Sequence, residues 1–178
     1  MCSSDLTQTS ALVYCGYTGS VNTATSESFN GSTWASSTNY PFAEEGVWSN
    51  AGASSSSGVT AGDYNRNATY SFNGTTWSSA GNRANAYGWG QGAGTASAAI
   101  GCGGTTSGAA GGATANTEVY NGTSWSAGNS LGTARFGPAG GANSSTQVLV
   151  TGGGNATTTY LTTTEISGSN AIQTFTQA

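Results

Sequence analysis

The chain contains no lysine and no histidine, and its three cations, Arg66, Arg83 and Arg135, are outnumbered by seven acidic residues for a formal net charge of −4. Without a basic stripe it has no electrostatic footprint for nucleic acid or for an anionic membrane surface. Without histidine, and with Cys15 and Cys102 as the two usable cysteines, a zinc site of ordinary composition cannot be assembled. Charged residues make up 6% of the sequence, against about 25% in an average soluble domain. Disordered segments are usually rich in charge, so this scarcity argues against disorder. Glycine and proline together contribute 29 + 2 = 31 residues, roughly 17%, below the level of about 25–30% that marks low complexity. No run of about 18 apolar residues exists, which excludes a helical membrane span. Helical periodicity appears nowhere.

What is present is aromatic and repetitive. Five Trp, eight Tyr and five Phe argue for a packed core. Serine, threonine, asparagine, alanine and glycine fill the rest, the vocabulary of short strands and many turns. One phrase occurs three times: Phe29-Asn30-Gly31-Ser32-Thr33-Trp34, Phe72-Asn73-Gly74-Thr75-Thr76-Trp77 and Tyr120-Asn121-Gly122-Thr123-Ser124-Trp125. An aromatic, Asn-Gly and a following Trp describe a tight hairpin, and Asn-Gly predicts a type I′ turn with positive φ at both residues. The tryptophans stand 77 − 34 = 43 and 125 − 77 = 48 residues apart, so the phrase marks a repeated supersecondary unit.

Around the phrase the residues fall into units of about 11–39, 40–83, 84–131 and 132–178. Each holds a small-residue strand closing on glycine (Val13-Tyr14-Cys15-Gly16, Val59-Thr60-Ala61-Gly62, Ile100-Gly101-Cys102-Gly103, Val150-Thr151-Gly152-Gly153). A loop and a strand into the Asn-Gly turn follow, such as Thr25–Phe29 or Thr117–Tyr120. The Trp lies on the returning strand, and a further strand is clearest at Ala86–Gly90 and Ala134–Gly140. Four short strands per unit of about 45 residues is the size of one propeller blade. The expected architecture is all-β, a partial or small β-propeller of about four four-stranded antiparallel blades with the first and last incomplete. The first unit has no inner strand before Val13, and the fourth replaces the hairpin phrase by Ser167–Ile172.

The glycine-closed strands, the aromatic before a turn and the Trp after it resemble Kelch-like repeats. The wording Thr117-Glu118-Val119-Tyr120-Asn121-Gly122-Thr123-Ser124-Trp125 is similar to repeats of phage and marine viral structural proteins, tail fibres included. The resemblance covers residues 11–178. Met1-Cys2-Ser3-Ser4-Asp5-Leu6 resembles a translated sequencing adaptor, so residues 1–10 are expected to be a non-native or disordered leader on a metagenomic fragment. The resemblance implies a non-catalytic structural or receptor-binding module of a virion or extracellular fibre, binding a glycan or protein through blade loops. The alternative is an accessory propeller of a secreted carbohydrate-active enzyme whose catalytic part is absent. Copper-radical oxidases share the scaffold but require histidine ligands, which this chain lacks.

Crowding near a propeller axis favours Gly, Ala and Cys, while Phe29, Trp34, Phe72, Trp77, Tyr120 and Trp125 are expected to fill the wedge between diverging blades. Cys15 and Cys102 sit at equivalent inner-strand positions and read as buried structural thiols. Glu27, Glu118 and Glu165 recur at one repeat position, with Tyr70 in the second unit, which suggests a shared blade contact rather than a glycosidase pair. Glu44, Glu45 and Asp63 are too scattered for a calcium loop. The six Asn-x-Ser/Thr sequons read as turns before glycosylation sites. No catalytic residue, cofactor or metal is expected. Candidate partner-binding residues are the off-phrase aromatics Tyr40, Trp48, Tyr64 and Trp89.

Overall fold

The computed structural model describes residues 2–7, 9–63, 65–107, 110–144, 146–157, 159–168 and 172–175. Four antiparallel sheets follow one another along the chain, each a four-strand meander in sequence order. The first contains β1 (Cys2–Thr7), β2 (Ser10–Tyr17), β3 (Asn22–Phe29) and β4 (Trp34–Ser37). The second contains β5 (Ser49–Ser54), β6 (Ser57–Asp63), β7 (Arg66–Phe72) and β8 (Trp77–Ala80). In the third are β9 (Gln91–Thr95), β10 (Ala98–Cys102), β11 (Thr117–Tyr120) and β12 (Trp125–Ala127); in the fourth, β13 (Ala139–Ser144), β14 (Gln147–Thr151), β15 (Thr164–Gly168) and β16 (Ile172–Phe175). The innermost strands β1, β5, β9 and β13 stack in that order, and among the described residues β1 and β13 share no packed interface. The result is an all-β, open row of sheets, a partial propeller.

The repeated phrase forms the β3–β4, β7–β8 and β11–β12 hairpins, with Phe29, Phe72 and Tyr120 directly opposite Trp34, Trp77 and Trp125. Their turns differ from the expected type I′. Positive φ is confined to Gly31, Gly74 and Gly122, and four residues separate the paired positions. The asparagine acts through its side chain: Asn30 Oδ1 accepts from the backbone N–H groups of Ser32 and Thr33, and Asn73 and Asn121 repeat this. Each loop is an Asx turn, in which the carboxamide replaces a backbone acceptor.

Three further expectations are corrected. The first unit does have an inner strand, β1, paired with β2, so both outer units carry four strands. The glycine-closed strands are the second of each sheet, and the innermost ones, Ser49-Asn50-Ala51-Gly52-Ala53-Ser54 and Gln91-Gly92-Ala93-Gly94-Thr95, are poorer still in side-chain volume. That volume is missing for a steric reason: a Cβ on Gly94 would stand 2.3 Å from the Ala98 carbonyl oxygen, and one on Gly140 2.0 Å from that of Leu149. The segments 86–90 and 134–138 lie in the connections before β9 and β13.

Register also separates the two cysteines. Cys102 pairs across to Thr117 as Tyr14 does to Ser26, whereas Cys15 occupies the bulge between Tyr14 and Gly16 with φ 54°. Both are buried thiols outside any disulfide, and burial pushes the Cys102 thiol up to about 12.

Each joint between sheets has the same two halves. Alternation along β2, β6 and β10 sends Leu12 and Tyr14, Val59 and Ala61, and Ile100 and Cys102 toward the following sheet. Leu12 and Tyr14 meet Phe72 and Trp77; Val59 meets Ala99 and Tyr120; Ile100 and Cys102 meet Val148 and Val150. Thus Phe72, Trp77, Tyr120 and Trp125 fill wedges as expected. Phe29 is only half-buried and Trp34 is 50% exposed; among the described residues no sheet packs on their face.

Candidate functional site

The sheets have two ends. One carries the hairpin turns; the other carries the β2–β3-type loops and the connections from each outer strand to the next inner strand, and this loop end differs most between units.

Within the connections, residues singled out as partner contacts are structural. Tyr40 is buried among Tyr14, Tyr70 and Trp77, with ring centroids 5.0–5.7 Å away. Trp48 is fully buried. Its indole N–H donates to the Gly103 carbonyl, and the Arg83 guanidinium lies 4.1 Å from its ring centre. Tyr87 and Trp125 pack at 6.1 and 5.9 Å. Gly90 and Gly104 are obligatory beside it, since a Cβ on either would approach its Cδ1 to 2.5 or 2.6 Å. The sequence placed Tyr40 and Trp48 on loops; they belong to loops folded back between sheets, where apolar wedges need filling. Tyr64 lies outside the described residues.

The arginines lock the same joints. Arg135, fully buried, donates to the carbonyls of Gly152 and Thr163 at 2.9 and 3.2 Å, to Thr163 Oγ1 at 3.2 Å, and to Glu165. Arg83 Nη1 stands 3.9 Å from Glu118 Oε2, and burial lowers its own pKa to about 10. The recurring glutamate position therefore serves ion pairs between a sheet and the connection leading into it in the third and fourth units, while Glu27 is exposed. Glu44 and Asp63 come together on Arg66, which also lies 4.5 Å over the Phe42 ring. Burial and the neighbouring Asp63 carboxylate push Glu44 up to about 8 despite Arg66. Among the described residues no three His, Cys, Asp or Glu side chains cluster as metal ligands.

Trp89 remains near the surface, and the structure gives it neighbours the sequence did not disclose. It is half-buried with φ 51°, a left-handed conformation rare for a bulky residue. Two backbone bonds hold it there, Trp89 N–H to the Gly46 carbonyl at 3.2 Å and Gly137 N–H to the Trp89 carbonyl at 2.7 Å. Gly46 has no room for a Cβ beneath the ring, which would stand 1.9 Å from Nε1. Phe136 stacks beside Trp89 at 6.4 Å and lies over Gly154, whose backbone exchanges two 2.9 Å bonds with it. Gly154 bridges Tyr160 on its other side. Opposed residues of antiparallel bridges project to the same face. Tyr160 therefore stands on the face of Phe136, and it is 87% exposed. Trp89, Phe136 and Tyr160 form an aromatic row across the loop end.

Toward the outside of that end, a cavity of about 210 Å³ opens between the connection before β9 and the outer strands β11 and β12 of the third sheet, lined by Asn85, Asn116, Glu118, Trp125, Ser126 and Ser130 among others. Burial raises the Glu118 carboxyl, opposed by Arg83 and a hydrogen bond from the Ala84 backbone. The cavity has amide, hydroxyl and carboxyl groups beside one aromatic edge, and Glu118 is the one carboxyl among its lining residues. Such a set holds polar ligands; paired acid and base catalysis needs a second group.

No protein-family model matches the chain, and no curated protein matches it in sequence. Its structure is similar to the solved structure of YjhT, with a TM-score of 0.69 at 13% identity over 86% of this chain and 52% of that one. The chain thus spans about half the length of YjhT, and at that identity the likeness establishes the fold alone: a propeller-like arrangement of antiparallel β-sheets.

Proposed function

We propose that this chain is a non-catalytic, Kelch-like structural or receptor-binding module of a virion or other extracellular fibre, which engages a glycan or protein partner through its loop end. The aromatic row carries this reading, Tyr160 above all. Solvent exposure of 87% leaves its ring free to stack on the C–H face of a sugar or on an apolar side chain. Support comes from the division of labour among aromatics: Phe72, Trp77, Tyr120 and Trp125 of the repeated phrase, with Tyr40 and Trp48, are consumed by packing, and the row is made of residues that differ between units. The arginines are tied to carboxylates, which leaves recognition to stacking and neutral hydrogen bonds.

A glycan array probed with the labelled chain tests the proposal. A bound glycan class whose capture falls at least about tenfold in Tyr160→Ala, with an unchanged melting temperature, is the expected result for a stacking contact worth about 1.4 kcal/mol or more. Capture that is indifferent to Tyr160→Ala and Trp89→Ala would remove the aromatic row from the function.

A further inference from the structure

The two ends of the row of sheets are the two halves of one joint. In the fourth sheet Leu149 occupies the position of Leu12, Val59 and Ile100, which face the following sheet and are 0%, 2% and 3% exposed; Leu149 is 45% exposed. Thr151 beside it is also exposed, and the cross-strand partner Ile166 is half-buried. In the first sheet Trp34, opposite Phe29, occupies the position of Trp77 and Trp125. Those two cover the preceding sheet, where the Trp77 indole N–H donates to the Thr38 carbonyl and that of Trp125 to Thr69 Oγ1. Trp34 is 50% exposed.

We propose that the occupant of each end is a second copy of this chain, packed head to tail so that the fourth sheet of one copy covers the first sheet of the next in the manner of the internal joints. Leu149 and Ile166 would then meet Val13, Phe29 and Trp34. The joint continues an interface already made three times within the chain, and its halves are unlike, so the contact is heterologous and closes only if its rotation allows. A pair is the expected closed species, since one chain spans 52% of the YjhT fold and two supply its full extent. Each internal joint also contains a connecting segment that fills the wedge, Tyr40 in the first, Trp48 in the second and Arg135 in the third. Among the described residues the joint between copies is built from strands alone. It is correspondingly weak, with dissociation at about 10–100 µM.

Sedimentation velocity from about 1 to about 500 µM, a range that brackets this affinity, reads the contact directly. The wild-type chain should pass from monomer to dimer across it. Trp34→Lys and Leu149→Lys each block one half and should remain monomeric, with circular dichroism and melting confirming that both fold. An equimolar mixture of the two variants should regain association, because the intact fourth sheet of one can cover the intact first sheet of the other. A wild-type chain that stays monomeric throughout would overturn the proposal. So would association persisting in either variant alone, or a mixture of folded variants that fails to associate.

Discussion

Trp48→Ala should be the most destabilising single aromatic truncation among the tryptophans. The ring is fully buried, so removing it costs about 3–5 kcal/mol in lost transfer energy and residual cavity. Two further losses follow from its partners. The Gly103 carbonyl loses its donor, a penalty of about 1–3 kcal/mol if it stays buried. Arg83, 4.1 Å from the ring, loses a desolvated cation–π contact of about 2 kcal/mol. Neighbouring effects overlap rather than add, and about 4–6 kcal/mol is the expected total. Against a domain stability of about 5–15 kcal/mol, this brings the chain close to unfolding. Trp34→Ala supplies the internal comparison. The ring is half exposed and stacks on Phe29 at 5.2 Å, so its removal should cost about 1 kcal/mol. Urea unfolding followed by circular dichroism at low protein concentration measures both. A Trp48→Ala loss below about 2 kcal/mol, or equal losses in the two variants, would refute the joint-packing argument.

Breaking the buried pair should be severe: Glu165→Gln leaves the Arg135 guanidinium without its countercharge and should cost about 3–5 kcal/mol in the same urea assay. Gly90→Ala should destabilise by about 1–3 kcal/mol through overpacking against Trp48, visible as a lowered melting temperature. Stability should also depend on pH through Glu44. Its folded pKa of about 8 lies above its ordinary value of 4.5. The folded state therefore holds the extra proton, and the associated stabilisation is complete below about 4.5 and lost as pH rises toward and through 8. Urea midpoints between pH 5 and 9 should fall with rising pH, and Glu44→Gln should flatten that slope; an unchanged slope would remove Glu44 as its source.

The parts of the fold legible in the sequence were those carried by local chemistry. The Asn-Gly phrase marks its hairpins because Asn30, Asn73 and Asn121 each satisfy two backbone donors within their own loop. The innermost strands were harder to read, since their Gly, Ala and Ser residues have low intrinsic strand preference and are held in sheets by crowding. The candidate site was less legible still. Tyr40 and Trp48 read as loop aromatics, and only the folding of their segments back between sheets buries them. Tyr160 joins Phe136 through Gly154, a pairing of distant residues that no local pattern announces. The signal that could have drawn attention to it is the Gly152-Gly153-Gly154-Asn155 run just before it, where backbones approach closely.

Stability resides in the joints between sheets: among the described residues the middle two sheets are joined on both faces and the outer two on one. Hydrogen-exchange mass spectrometry on the monomer, at about 1 µM and below any self-association, tests this most directly. The strongest protection is expected in β6, β7, β10 and β11, with faster exchange in β3, β4 and β15 at the open ends. Protection in the first and fourth sheets equal to that of the middle two would contradict it.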